Sequence, residues 1–241
     1  QYGNLLADWD YSRSVAYLSS SGSGPQATVT NQPVGYLTDL VQYDILQPVE
    51  SLQPIVDTSL AGGRGGLDFG ALSADDYLFA NMTGLATALS GTATPYTIGM
   101  VVNVTEGQIF SFGNASDASN NYIQVGLNLA NSALIVRHRD NGGGDETRII
   151  SISIGSLIVL LIRFSGTQLT VVQNGVTLLN NAAFASGNLA LTDFALGTLY
   201  RDRSSAFAAR MDWHQGFVFG EALSDATLTA IDSDMRTKWG I

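Results

Sequence analysis

The residues able to carry chemistry in this chain are few and scattered. Its four glutamates, Glu50, Glu106, Glu146 and Glu221, stand apart, and no E-x-D-x-E run sets two acids on one face of a strand. Glycoside hydrolysis needs two carboxyl groups flanking the scissile bond, so a glycan hydrolase is not expected. His138 and His214 are the only histidines, and any Ser/His/Asp relay or histidine metal site would have to use them. No G-x-S-x-G elbow is present, and both histidines fall in strand-like runs, where they read as ordinary polar positions. The chain is therefore expected to be noncatalytic, with no catalytic, cofactor-binding or metal-ligating residue assigned.

Calcium is the metal that best suits this composition, because it takes loop carboxylates and carbonyls. The places for it are residues 140–146, where Asp140, Asp145 and Glu146 surround a triple glycine, and the pair Asp75-Asp76. The plainer reading is solvated acids on a hairpin tip and a turn, with no cofactor. Gly62-Gly63-Arg64-Gly65-Gly66 leads into a strand-like stretch rather than a helix, so it reads as a turn and not as a phosphate loop. Asn81, Asn103 and Asn114 match the glycosylation sequon, which matters only in a eukaryotic secretory setting. Tyr17, Tyr36, Tyr43 and Tyr200 are aromatics that could stack on sugar rings, but they define no binding platform.

The whole chain sets the frame for these residues. With 241 residues it is long enough to bury a full core without staples, and zero cysteine closes disulfide, thiolate and iron–sulfur options. A net charge of −10 without any Lys/Arg cluster repels a phosphate backbone, so nucleic acid is not an expected partner. At 13% charged residues the surface must be covered largely by Ser, Thr, Asn, Gln and Gly, which suits an extracellular or particle-borne β-protein. Residues 1–6 have neither a basic nor an apolar leader region, and without an initiator Met a leader removed before Gln1 is equally compatible. The most apolar window, 149–164, is too short to span a bilayer and contains Arg163, so it reads as two buried strands joined at Gly155-Ser156.

From residue 97 onward, apolar runs of five to eight residues recur about every ten residues between Gly, Asn, Asp and Ser, which is the rhythm of a sandwich. The strands expected are 96–104, 108–113, 122–129, 133–139, 147–154, 157–165, 168–173, 176–179, 194–200 and 211–219. In the run 122–129, Ile123, Val125, Leu127 and Leu129 alternate with Gln124, Gly126 and Asn128, which predicts one dry and one wet face. Asn174-Gly175 is a type I′ hairpin signal. One helix is expected over 225–238, capped by Ser224 and stopped by Gly240, with Leu228, Ile231 and Met235 packing on the sandwich edge. Residues 1–60 are less regular, and the Gln/Pro loops at 47–50 and 53–55 could offer backbone groups to a neighbouring subunit; a chain wrapping its own sandwich is the favoured reading. With no linker and no repeat, 1–241 reads as a single domain, its sandwich core and helix in 61–241.

Three segments carry a resemblance. AGGRGGLDFGALSADDYL at 61–78, LIRFSGTQLTVVQNGVTL at 161–178 and MDWHQGFVFGEALSDATLTAIDSDMRTKWGI at 211–241 resemble concanavalin A-like, laminin G-like jelly-roll domains. Together with Asp8-Trp9-Asp10-Tyr11-Ser12 and the run 34–40 leading to Gln53-Pro54, they look like the variant found in tailed-bacteriophage virion proteins. The resemblance implies an all-β fold, a two-sheet antiparallel jelly-roll sandwich with a short C-terminal helix. It implies a noncatalytic protein of the virion surface, a head decoration, fibre or tail-associated module, with homo-oligomers, other virion proteins and host-surface glycans as partners and without membrane insertion. The alternative is a secreted or cell-surface bacterial carbohydrate-binding module. Leu72-Ser73-Ala74 lengthens the loop before Asp75-Asp76 relative to the family pattern, and no functional residue carries over.

Overall fold

The computed structural model describes residues 4–70, 76–81, 83–114, 121–128, 133–140, 142, 144–201 and 204–241, without the side chains of 81, 83, 200, 201 and 204–206. In chain order the elements are β1 (Leu5–Asp10), β2 (Ala16–Tyr17), β3 (Tyr36–Leu37), β4 (Ile45–Leu46), β5 (Ile55–Asp57), the turn α1 (Leu60–Gly63), β6 (Gly66–Phe69), β7 (Leu78–Asn81), α2 (Thr83–Leu89) and β8 (Gly91–Thr92). The middle of the chain forms β9 (Tyr96–Glu106), β10 (Gln108–Gly113), β11 (Tyr122–Asn128), β12 (Ala133–Arg139), β13 (Asp145–Ser151), β14 (Ile158–Phe164), β15 (Gln168–Gln173) and β16 (Val176–Ala183). Then follow β17 (Asn188–Leu189), β18 (Asp193–Leu196), β19 (Leu199–Arg201), β20 (Ser204–Ala206), β21 (Arg210–Phe219) and α3 (Asp225–Trp239).

Two antiparallel sheets make the sandwich. One runs β16-β15-β14-β9-β21-β6-β5, with β1 sharing the free side of β21 next to β6; the other runs β13-β12-β11-β10-β18-β7-β4-β3-β2. Between them lies a core that includes Trp9, Phe69, Phe112, Ile123, Val125, Val136, Leu160, Ile162, Phe164, Phe194 and Trp213, each side chain contributing roughly 1.5–3 kcal/mol of transfer free energy. The fold is an all-β, two-sheet jelly-roll sandwich with a C-terminal helix, as the resemblance implies and the sandwich rhythm of the sequence anticipates.

A second, smaller core lies on the far side of β14, β9 and β21. There Val101, Val159, Leu161, Phe217 and Phe219 meet Leu228, Ile231, Met235 and Trp239 of α3. This explains why β14 is buried along its whole length. It also corrects the expected position of the helix: α3 covers a sheet face, not an edge, because these central strands are apolar on both sides. Ser224 accepts from the Thr227 amide at 3.2 Å and Gly240 adopts a left-handed φ of 74°, so the helix ends where its caps dictate. Ser224→Ala is expected to lower unfolding free energy by about 1 kcal/mol in urea denaturation, without changing the urea dependence.

Other boundaries differ from expectation for identifiable reasons. The 147–154 strand is β13, a sheet edge whose Ile149 is 56% exposed, so only the second of the two strands flanking Gly155-Ser156 is buried. The 194–200 run breaks at Gly197, with φ of 89°; β18 stays in the sheet while β19 turns away to pair with β20. Backbone groups of the 47–50 and 53–55 loops are bonded within the chain. Gln47 N donates to Gly35 O, Val34 N to Pro54 O, and the buried Gln53 side chain to Gln47 O. Ala27, inside the polar 19–32 stretch, is buried in the core and its amide donates to Ala16 O. The turn Asn174-Gly175 has φ of 49° and 78°, the hairpin geometry its sequence predicts.

Candidate functional site

Alternation along β11 and β12 sends Ile123, Val125, Leu127, Leu134, Val136 and His138 inward. It leaves Tyr122, Gln124 and Gly126 on the outer face, opposite Arg139, Arg137 and Ile135 respectively. β10 sets Gln108 opposite Gly126. Because β19 leaves the sheet after Gly197, Leu199 and the segment leading into β21 wall off one side of this face. The result is a cleft of about 370 Å³ lined by Gln108, Tyr122, Gln124, Asn128, Ile135, Arg137, Arg139, Leu199 and Phe207.

Two features of its floor are unusual. Gln108 and Gln124 are 4% and 6% exposed, and the amide oxygen of each is buried with no hydrogen-bond partner among the described residues. A buried acceptor left unpaired costs about 1–3 kcal/mol, so two on one face call for an explanation. Gln108 lies so close over Gly126 that a Cβ there would sit 2.2 Å from its Oε1; only glycine admits the carboxamide.

The rim carries the third feature. Phe207 is 60% exposed and has φ of 58°, a left-handed conformation that bulky residues seldom adopt. Its carbonyl accepts from Gln108 N at 2.8 Å, so rim and floor are tied together.

The charges in the cleft are unequal in their commitments. Arg137 donates to Asp145 Oδ1 through Nε at 2.8 Å and to Oδ2 through Nη2, and its guanidinium lies 5.7 Å from the centre of the Tyr122 ring. The Arg137 contact holds the Asp145 carboxyl below its ordinary range. Arg139, half-buried and directly across from Asp145, makes no hydrogen bond or ion pair among the described residues.

The sequence-marked residues lie elsewhere. His138 faces the inter-sheet core, where Nε2 bonds Tyr96 Oη at 2.6 Å between Phe164 and Phe184. Burial pushes its pKa down to about 3. His214 is on the other sheet, with Nδ1 against Gly65 O at 2.7 Å and the ring on Trp239; burial lowers its pKa as well. Both are strand positions, as expected, but fully buried ones, and among the described residues no carboxylate hydrogen-bonds either ring.

The plain reading of solvated acids holds for the exposed Asp145 and the part-exposed Glu146, whereas Asp140 and Asp76 are buried. Asp140 accepts from Gly144 N at 2.7 Å and Asn188 N at 3.1 Å, Glu146 pairs with Arg148, and Asp76 accepts from Gly70 N at 2.9 Å. Asp75, Asn141 and Gly143 lie outside the described residues. Among the described residues no three His, Asp or Glu side chains gather as metal ligands.

Tyr17 and Tyr36 pack edge to face at 6.1 Å in the N-terminal part, away from the cleft, and Tyr43 O accepts from Trp9 Nε1. The side chain of Tyr200 is outside the description. One acid pair does arise that linear spacing could not reveal: Asp68 and Asp212 face each other across β6 and β21. Burial, then the Asp212 charge, pushes Asp68 up to about 6. Neither lines the cleft.

Of the cleft residues, the alternation in 122–129 pointed to Gln124 and Gly126 as a wet face; they do lie on the outer face, but the structure buries both, so β11 has no wet face. Phe207, Gln108 and the two arginines gave no sequence signal, because their proximity depends on sheet register and on the break at Gly197.

No family model and no curated protein matches the chain. Solved structures do. The carbohydrate-binding module CBM40 of the Ruminococcus gnavus IT-sialidase, bound to α2,3-sialyllactose, aligns at TM-score 0.51 and 17% identity over 61% of this chain and 85% of that one. Its complex with α2,6-sialyllactose gives 0.53 and 16% over 64% and 92%. The binding domain of Paraclostridial Mosquitocidal Protein 1 aligns at 0.59 and 11% over 96% of this chain and 52% of that chain, so this chain spans about half the length of that one. These likenesses show that the chain shares the β-sandwich fold of those domains.

Proposed function

We propose that this chain is a noncatalytic glycan-binding module whose site is the cleft over β10, β11 and β12. The observation that carries the reading is the pair of buried, unpartnered amide oxygens of Gln108 and Gln124 beneath the exposed Phe207 ring. A saccharide supplies what each lacks: hydroxyl donors for the two acceptors and an apolar ring face for the aromatic. The neighbours of like fold include a module seen with sialyllactose bound, which supports the same class of ligand.

The test is a glycan array followed by calorimetric titration of the best binder. Gln124→Leu, which keeps the floor filled but removes the acceptor, is expected to weaken binding about tenfold (~1.4 kcal/mol) and to leave the melting temperature unchanged or raised. Unaltered affinity, or no binder on a broad array, would overturn the assignment.

The setting proposed is the surface of a bacteriophage particle, on the strength of the sequence resemblance at 61–78, 161–178 and 211–241. Repetition around a particle would convert weak glycan contacts into avid attachment to a host surface. Mass spectrometry of purified particles should detect the chain at fixed copy number. Its absence there, with binding intact, would favour a secreted or cell-surface bacterial module.

A further inference from the structure

The geometry points to a narrower ligand class, and the inference rests on the glycan-binding reading of the same cleft: we infer that the site selects saccharides bearing a carboxylate, with Arg139 as the charge reader. The chain carries −10 overall, yet the cleft holds two guanidiniums against one facing carboxylate. Asp145 is hydrogen-bonded to Arg137 through two nitrogens and acts on Arg139, its cross-strand neighbour, only through space. That leaves Arg139 as a lining cation with no hydrogen bond or ion pair among the described residues. A half-buried guanidinium presents a fork of donors that matches a planar carboxylate, so an anion gains there what water supplies only partly.

Register sets where that anion must sit. Gln124 faces Arg137, and Arg139 is the next residue along β12 on the same face. The Gln124–Arg139 relation is therefore a diagonal one, about 7–8 Å between side-chain roots. Both line the cleft, and that gap lies within the span of one sugar residue. A uronic acid, with its carboxylate on the ring that also carries the hydroxyls, satisfies both. Gln108, one step of two residues further along the sheet, lies beyond it and reads a neighbouring unit. A neutral sugar would fill the Gln108, Gln124 and Phe207 contacts but leave Arg139 desolvated and unpaired.

The experiment compares galacturonate and glucuronate oligosaccharides with their carboxyl-reduced, neutral counterparts, titrated into the wild-type chain and into Arg139→Gln. Wild type is expected to favour an acidic oligosaccharide at least tenfold, with the preference shrinking as salt rises from 50 to 500 mM. Arg139→Gln should bring acidic and neutral forms to within about twofold of each other, through loss of acidic-ligand affinity, and Arg139→Lys should restore only part of the preference. Equal wild-type affinity for acidic and neutral forms, or a preference that survives Arg139→Gln, would overturn the charge assignment and leave the glycan reading standing. Failure of every saccharide to bind would overturn both. Because Arg139 bonds no other described group, loss of fold is not expected, and circular dichroism of the variant checks it.

Discussion

Phe207→Gly is expected to weaken saccharide binding at least thirtyfold, about 2 kcal/mol, while the melting temperature holds or rises. The two effects have separate causes. The ring is the exposed aromatic at the cleft rim, and under the proposed reading it would contribute apolar area and stacking against a sugar face. Its backbone, at φ of 58°, is in a region that costs an L-residue roughly 1–2 kcal/mol and costs glycine nothing. Glycine returns part of that gain through the greater entropy of the unfolded chain, about 0.5–1 kcal/mol, so the net change in stability is near zero or favourable. Phe207→Ala separates them: it should lose binding to the same extent, yet melt below Phe207→Gly because it keeps the strained φ. Strain held by an exposed aromatic is the signature of a position kept for contact rather than for packing. Full affinity in Phe207→Gly would remove the ring from the site.

Acidification is expected to destabilise the fold through His138. Its folded pKa is about 3 against an ordinary 6.5, so between those values the unfolded chain binds a proton that the folded chain refuses. Stability is therefore complete above pH 6.5 and is lost progressively toward pH 3, with an upper bound near 5 kcal/mol from this group. His214, also lowered by burial, acts in the same direction. Asp68 acts in the opposite one. Raised to about 6 from 3.8, it keeps a proton in the folded state that the unfolded state releases, so its stabilisation is present in acid and fades as pH rises through that interval. It offsets part of the histidine effect between pH 4 and 6, discounted for its half-exposed carboxyl. The steepest net loss should therefore fall below pH 4. There Asp10, held low by Lys238, Ser12 and Arg13 against the cost of its burial, also begins to protonate.

Urea denaturation at pH 7.5, 5 and 3.5 measures the curve. His138→Gln removes the titration and retains a polar partner for Tyr96; it should be less stable at neutral pH but show a flatter decline. An unchanged acid slope in that variant would exclude His138 as the cause. The consequence reaches the cleft, since His138 pins from the inside the same strand that displays Arg137 and Arg139 on the outside.

Much of this architecture was written in local patterns. The period-two alternation of 122–129, the Asn174-Gly175 turn and the Ser224 and Gly240 caps each specify their element through neighbouring residues alone, and each appears where the pattern demands. The absence of a linear acid motif was equally legible. Local pattern could not say that β14 is covered on both faces, because a uniformly apolar run fits any buried strand, and only the docking of α3 closes its second side. Nor could it show that Gly197 ends β18 and diverts the chain, since a strand-like run across a glycine reads as continuous.

The candidate cleft belongs wholly to the second kind. Gln108, Gln124, Arg139 and Phe207 come from four separate stretches of chain, and what joins them is cross-strand register plus the hairpin that peels away after Gly197. Sequence determines which residues share a face of each strand, because side chains alternate by geometry; whether that face is wet depends on what packs over it, as the burial of both faces of β11 shows. Which faces lie side by side, which acceptor is left without a donor and which arginine without an acid are decided by pairing between distant strands, and these the tertiary structure alone supplies.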